Sequence, residues 1–488
     1  GVMDMACNCL LKIVKRTHRH FGVLHPGEPR PLVETILNDL PQHIRDLDSH
    51  QVTVFYESMG VILHSVQDQS KRDSLLIKLM LLPNRFWDQI MVKARSDVNS
   101  LNDEITIRRL NDILKTNIAV CQTMGTFFLP QLFKMHSDLM SIYRHYSKGV
   151  SDYIQLNGPM SVKDQTPKLL RTIRKNILLL YTKFTDAKSS EPVLIAEKFV
   201  PSLMESILKD YQDSIPQARE PEALSIFASL IAKLGANKKS HPLLVQQVPT
   251  ILDHVFEPTL KAISNNFEEH PETRMAFYTV LKNINDHSFE SILAFNDEQT
   301  TTLVDSVMWA IRHLVTDVSD CGMGLFLGLI TKMANSPKCD SFFQQHLIKL
   351  LDRLLSVLTD TFHKNNFKMH AMTLQRIISI VESPRLGVQL YPPGMFSSNS
   401  EFLHAHMVKV LSQAFPNVHP NEVKIFVDGL YATKLEPPKF KQFMRDFIIQ
   451  TKEFSIGGNE EFYAEEKAQT EVLKEQELHS IPGMAAPE

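Results

Sequence analysis

The sequence is short of the residues that β-architectures and most small-molecule chemistry require. Glycine numbers only 17 in 488 residues, too few for the many tight turns of sandwiches and barrels. The five cysteines, Cys7, Cys9, Cys121, Cys321 and Cys339, are odd in number and irregular in spacing. They read as free thiols in a reducing compartment rather than as a disulfide framework. Neither sign of charge is in excess, since 52 Lys plus Arg face 55 Asp plus Glu for a formal net charge of -3. That balance supplies no global attraction to nucleic acid or to an anionic membrane. Long apolar runs are also missing. The longest of note, CGMGLFLGLI at 321–330, is about half of what a membrane-spanning helix needs, and no signal-peptide pattern is present.

The motifs of catalysis are absent in the same way. There is no GxxxxGK(S/T) loop, no GxGxxG following a strand, no GxSxG elbow and no HExxH, so neither a phosphate cradle nor a hydrolase or zincin site is legible. The GxG within CGMGLFLG lies in an apolar helical run and reads as helix packing. CNC at Cys7–Cys9 lacks the ligand spacing of a zinc site. HAH at His404–His406 puts its imidazoles about 200° apart on a helix, so they cannot share one metal. The expectation is a protein that is not an enzyme and holds no metal or cofactor of its own.

What the chain does have is helical periodicity almost from end to end, with no convincing alternating strand. PLVETILNDL from Pro31, PQLFKMHSDL from Pro130 and PSLMESILKD from Pro201 share a layout, with PTILDHVFE from Pro249 as a looser fourth copy. Proline is tolerated in the first helical turn, where no intrahelical donor is lost, and so marks helix starts. The copies are 99, 71 and 48 residues apart, roughly one or two units of the ~40–47 residues of a HEAT repeat.

Whole hairpins recur as well. Residues 199–235 run as an apolar-striped helix, a polar turn with Pro216 and Pro221, and a second striped helix stopping at Gly235. Residues 31–63 and 256–285 repeat the plan. Neither arm can bury its stripe alone, so the hairpins must stack on one another. The predicted fold is all-α, an α-solenoid of HEAT-type helical hairpins forming a right-handed superhelix.

Residues 1–454 are expected to form that solenoid, as nine to ten hairpins, with SPRLGVQLYPPGMFSSNS (383–400) as a long loop within it. Residues 455–488 are expected to form a Gly-Gly hinge, an acidic helix and a tail. The opening GVMDMACNC carries no initiator methionine and enters a helical pattern at once, so the chain is expected to be part of a longer protein.

Two charge features stand above background. Lys12, Lys15, Arg16 and Arg19 share one face of the first helix, and the last helix is acidic, with Glu461, Glu465, Glu466 and Glu475. One reading of both is a plain solvated helix face. The sharper expectation is that the acidic helix docks as a latch on the basic surface. Surface ion pairs of ~0–1 kcal/mol each would make such a latch releasable by a competing partner.

DYQDSIPQAREPEAL, FEEHPETRMAFYTVLKNIN, MLLPNRFWDQI, SVMWAIRH and RDFIIQTKEF closely resemble, in order, segments of the karyopherin-β nuclear export receptors. The resemblance implies a part of a ring-like HEAT solenoid that binds Ran-GTP on its concave side. It implies cargo proteins with leucine-rich export signals bound in an outer groove, whose main helices would precede Gly1. Met5 matches a methionine at the base of that groove, and Lys12 falls on the inner helix behind it. Nucleoporins and Ran-binding proteins are further implied partners, and GTP is involved only through Ran. The implied localisation is shuttling between nucleus and cytoplasm through the nuclear pore, with no direct nucleic-acid binding and no membrane insertion. The tail HSIPGMAAPE departs from the family's acidic terminus. The rival expectation from another class is a static HEAT-repeat scaffold or adaptor.

Overall fold

The computed structural model describes residues 1–188, 191–264, 270–359 and 366–453. They are all-α, with no strand among them, and fall into two compact units, one of residues 1–292 and one of the described residues from 293 onward.

The first unit opens with α1 (Val2–Phe21). The next hairpin joins the broken arm α2 (Leu32–Asn38) and α3 (Leu40–His43) to α4 (Ser49–His64). The following one pairs α5 (Gln69–Leu79) and α6 (Leu81–Ser96) with α7 (Glu104–Met124). After it come α8 (Leu129–Asn157) with α9 (Gln165–Asp186), and then α10 (Pro192–Lys198) and α11 (Val200–Asp213) with α12 (Pro221–Gly235). The last complete pair is α13 (His241–Ser264) with α14 (Pro271–His287), after which the short α15 (Phe289–Leu293) begins. The second helices α4, α7, α9, α12 and α14 lie side by side in series and continue α1, while α5, α8, α11 and α13 form the other layer. Contacts between neighbours in the chain's order, and few others, are what make this a solenoid of HEAT-type hairpins.

The second unit repeats the plan. Here α16 (Asp297–Ala310) pairs with α17 (Thr316–Met333), and α18 (Cys339–Thr359) with α19 (Phe367–Val381). Beyond them α20 (Asn399–Ala414), α21 (Pro420–Thr433) and α22 (Pro437–Glu453) pack together, with α22 also against α19. The predicted loop at 383–400 is present between α19 and α20. It is anchored by Asp340, which accepts from the Gly387 and Val388 amides at 2.8 and 3.3 Å.

The starts of these helices follow from local chemistry. Proline occupies the first turn of α8, α11, α12, α14 and α21. Asp48, Asp103 and Asn296 cap α4, α7 and α16 through their side chains, each satisfying an amide that the first turn leaves unpaired. The hairpin at 199–235 is as predicted. Leu203, Ile207, Tyr211, Leu224, Phe227, Leu230 and Ile231 are all buried, each contributing about 1.5–3 kcal/mol that an isolated arm would forgo.

Pro249 corrects one expectation. It does not start a helix but lies inside α13, as does Pro258. Each removes a backbone donor, yet Leu244, Val248, Ile251, Val255, Phe256 and Ile263 bury a stripe running through both positions. Packing on either side of each proline thus holds a helix that local preference would have broken. The GxG of CGMGLFLG is indeed a packing feature, since Gly322 lies where a Cβ would sit 2.7 Å from Ala310 Cβ.

Candidate partner-binding surfaces

α1 buries Cys7 and Val14 against α4. At about 100° per residue, Lys12, Lys15, Arg16 and Arg19 lie on the opposite side of the helix, and all are exposed. The structure therefore brings the four predicted basic residues onto one solvated face. Lys15 reaches Glu57 of α4 at 3.1 Å. Lys12, Arg16 and Arg19 have no ion-pair partner among the described residues, so the face is only partly neutralised by its neighbours there. Met5 is 67% exposed on the same side, about two turns before Lys12, and Val2 and Ile13 extend an apolar edge beside it. Glu461, Glu465, Glu466 and Glu475 lie outside the described residues.

The most constrained chemistry in the first unit lies elsewhere, in a polar spine the sequence reading did not find. Arg174 of α9 and Glu220 at the start of α12 are each 1% exposed. Arg174 donates to Glu220 Oε1 at 3.3 Å, to Asp210 Oδ1 at 3.2 Å and to the Ala218 carbonyl at 2.9 Å. Arg171 adds a two-pronged contact to Glu220 at 2.6 and 3.2 Å. Tyr143 of α8 donates to Asp210 Oδ2 at 2.8 Å, and burial, with Asp210 beside it, holds its hydroxyl well above the usual tyrosine range. Burial works against the Arg174 charge, but the nearby Asp210, Tyr143 and Glu220 more than offset it, so its pKa rises. Arg219 carries the spine onward, donating to Tyr211 O and to Pro258 O of α13 at 2.9 and 2.8 Å. The turn of the 199–235 hairpin thus bolts α8, α9, α11 and α13 together.

One constellation has the distances of a catalytic set without the chemistry. His136 lies 2.9 Å from Ser202 Oγ and 2.6 Å from Tyr181 OH. Ser202, however, is also 3.1 Å from the Phe199 carbonyl, a competing acceptor for its proton. The His136 ring packs edge-on against Phe199 and Tyr181, and burial lowers its pKa. The group ties α8 to α9 and α11. His404 and His406 point to different partners, Asp428 and Asp352, each at 2.6 Å. No cluster of three His, Cys, Asp or Glu side chains among the described residues is placed to hold a metal. No described helix is long and apolar enough to cross a membrane.

Concave apolar surface is present in both units. In the first, a groove of about 750 Å3 on α5, α6 and α8 exposes Ile77, Leu81 and Val92 beside Arg85, Lys93 and Lys134. In the second, one of about 720 Å3 opens between α17, α19 and α22.

Stacked hairpins with solvated charged faces and apolar grooves define a helical-repeat protein. The family model described as CRM1 C terminal matches residues 131–456, and the chain belongs to that family. It is 38% identical over 491 residues to Protein EXPORTIN 1A of Arabidopsis thaliana. It is 34% identical over 497 residues to Exportin-1 of Schizosaccharomyces pombe and 33% over 493 to Exportin-1 of Drosophila melanogaster. Each alignment covers 100% of this chain and 45% of the relative, so the chain spans about half the length of the curated relatives it matches.

Proposed function

We infer that this chain is part of a nuclear export receptor that binds Ran-GTP and leucine-rich export-signal cargo cooperatively and carries cargo through nuclear pores. The carrying observation is similarity to exportins along the entire chain. In this reading the receptor itself holds no cofactor, and GTP enters only with Ran. Nucleoporins and Ran-binding proteins are its other partners, and it shuttles between nucleus and cytoplasm. Met5 belongs to the base of the cargo groove. The face of Lys12, Lys15, Arg16 and Arg19 is the surface through which an acidic element changes the groove's state, because three of its four cations are left unpaired by their own unit.

The test is reversal of all four charges in a receptor of the relatives' full length, followed by measurement of export-signal peptide affinity with and without Ran-GTP. The expected result is a change of about 5-fold or more in the factor by which Ran-GTP raises peptide affinity, the lower end of typical allosteric coupling. An unaltered factor would remove the basic face from the mechanism. A receptor with no Ran-GTP dependence at all would favour the static scaffold.

A further inference from the structure

The two hairpins that follow α1 enclose a cleft of about 280 Å3. Val52 and Tyr56 of α4 stand four apart and so line it from one helix face, and Arg109, Ile113 and Thr116 of α7 do the same. Leu82 and Phe86 of α6 close another side. The lining is graded by depth: Ser49, Arg109 and Asp112 are exposed, whereas Tyr56, Ile113 and Thr116 are buried. The polar groups at the mouth are already engaged. Ser49 donates to Asp112 Oδ1 at 2.6 Å, and the Arg109 guanidinium stands 5.3 Å over the Phe86 ring. Lower down, Thr116 donates to the Asp112 carbonyl at 2.9 Å. Tyr56 is different. It is 1% exposed, and its hydroxyl is sealed from solvent with no hydrogen-bond partner among the described residues. Burial alone raises its pKa, so it stays a neutral donor. Nearly all buried polar groups are paired, and an unpaired one costs free energy. The cleft has room for far more than one water, whose share of the liquid is about 30 Å3. Apolar walls, one unpaired donor at depth, and one cation offset by one anion at the mouth specify an apolar, uncharged ligand with an acceptor at its inner end.

We propose that this cleft binds a small uncharged aromatic molecule whose acceptor, a ring nitrogen or a carbonyl oxygen, takes the Tyr56 hydroxyl hydrogen. Small-molecule sites are concave and mostly apolar, with a few placed polar groups that fix orientation. The volume lies at the small end of such sites and suits one or two fused rings. The rings pack against Val52, Leu82, Phe86 and Ile113. Such a ligand touches α4 of one hairpin and α6 and α7 of the next, so its binding favours the hairpin spacing at which the cleft is open. The inference rests on the cleft alone and does not use the transport reading.

The experiment titrates the 488-residue chain with two probes, following the methyl NMR signals of Ile44, Leu82 and Ile113. Isoquinoline carries one ring nitrogen and is uncharged at neutral pH; naphthalene has the same shape and no acceptor. Both should shift those methyls. Naphthalene leaves water more readily, so the informative quantity is the ratio of the two dissociation constants. Tyr56→Phe should move that ratio about fivefold against isoquinoline, the worth of one net hydrogen bond. In the unliganded chain the same substitution should leave the thermal midpoint unchanged or raise it, because it removes only an unpaired group. Val52→Trp, at a half-buried position, fills the cleft and should abolish both titrations. A ratio unmoved by Tyr56→Phe, or a lower midpoint for that variant, overturns the proposal. So do shifts that survive Val52→Trp, and so does the absence of any shift with either probe, the result for a cleft that holds only water.

Discussion

Among single residues, Arg174 and Glu220 are the pair on which most depends, and they are not equivalent. Removing Glu220 leaves the Arg174 guanidinium 1% exposed with Asp210 as its only carboxylate. Removing Arg174 leaves Glu220 still held by Arg171 at 2.6 Å and Lys175 at 3.5 Å. Losing one partner of a buried pair costs about 3–5 kcal/mol when the other is left uncompensated. Glu220→Ala leaves Arg174 still paired with Asp210 at 3.2 Å and is therefore expected to destabilise the first unit by less than that amount, whereas Arg174→Met also strips Asp210 of its cation and is expected to cost more. Urea unfolding followed through exchange of the α9 and α12 amides would read both. Equal losses would mean that the spine is redundant. Neither partner announces itself in the sequence, because they stand 46 positions apart and meet only when hairpins stack.

For the elements, what decides is how closely the helices approach. Gly322 of α17 lies where a Cβ would meet Ala310 Cβ at 2.7 Å, Ala310 C at 3.1 Å and the Ile311 amide nitrogen at 3.2 Å. Those are backbone and near-backbone atoms, so α16 itself must move. Gly149 of α8 has only Leu170 Cδ1 nearby, at 3.2 Å, the far end of a flexible side chain. Alanine gains about 1 kcal/mol over glycine inside a helix, whereas overpacking costs about 1–3 kcal/mol. Gly149→Ala should thus be neutral or stabilising and Gly322→Ala destabilising, as thermal unfolding of the two variants would show. Two changes of the same sign would refute the argument. The elements themselves were largely legible beforehand. Proline at Pro31, Pro130 and Pro201 marks a real helix start, and the apolar stripes give the hairpins, because both signals act within a few residues. Pro249 misled for the complementary reason, since burial on both sides of it outweighs a local cost. The groove between α17, α19 and α22 was invisible because α19 and α22 are separated in sequence by a long loop and two further helices. The α1 face was legible because four cations on one helix need no tertiary information.

At the level of the whole molecule, the hairpin is a unit that contacts its neighbours and little else, so shape change can be spread over many small interfaces. A receptor working this way binds two ligands through one conformational equilibrium. Thermodynamic linkage then requires that each ligand change the other's affinity by the same factor, typically 5- to 150-fold. A scaffold that merely holds two partners at separate sites gives a factor of one. The expected outcome, in a receptor of the relatives' full length, is that Ran-GTP tightens export-signal peptide binding and that the peptide tightens Ran-GTP binding by an equal factor. Ran-GDP should do neither. Calorimetric titrations of each ligand, with and without saturation by the other, measure both sides of the cycle. Removing residues 455–488 should raise peptide affinity in the absence of Ran and shrink the factor, because a state the acidic stretch disfavours becomes populated without help. Affinity unchanged by that removal would take the stretch out of the equilibrium, leaving the solenoid alone to carry the coupling.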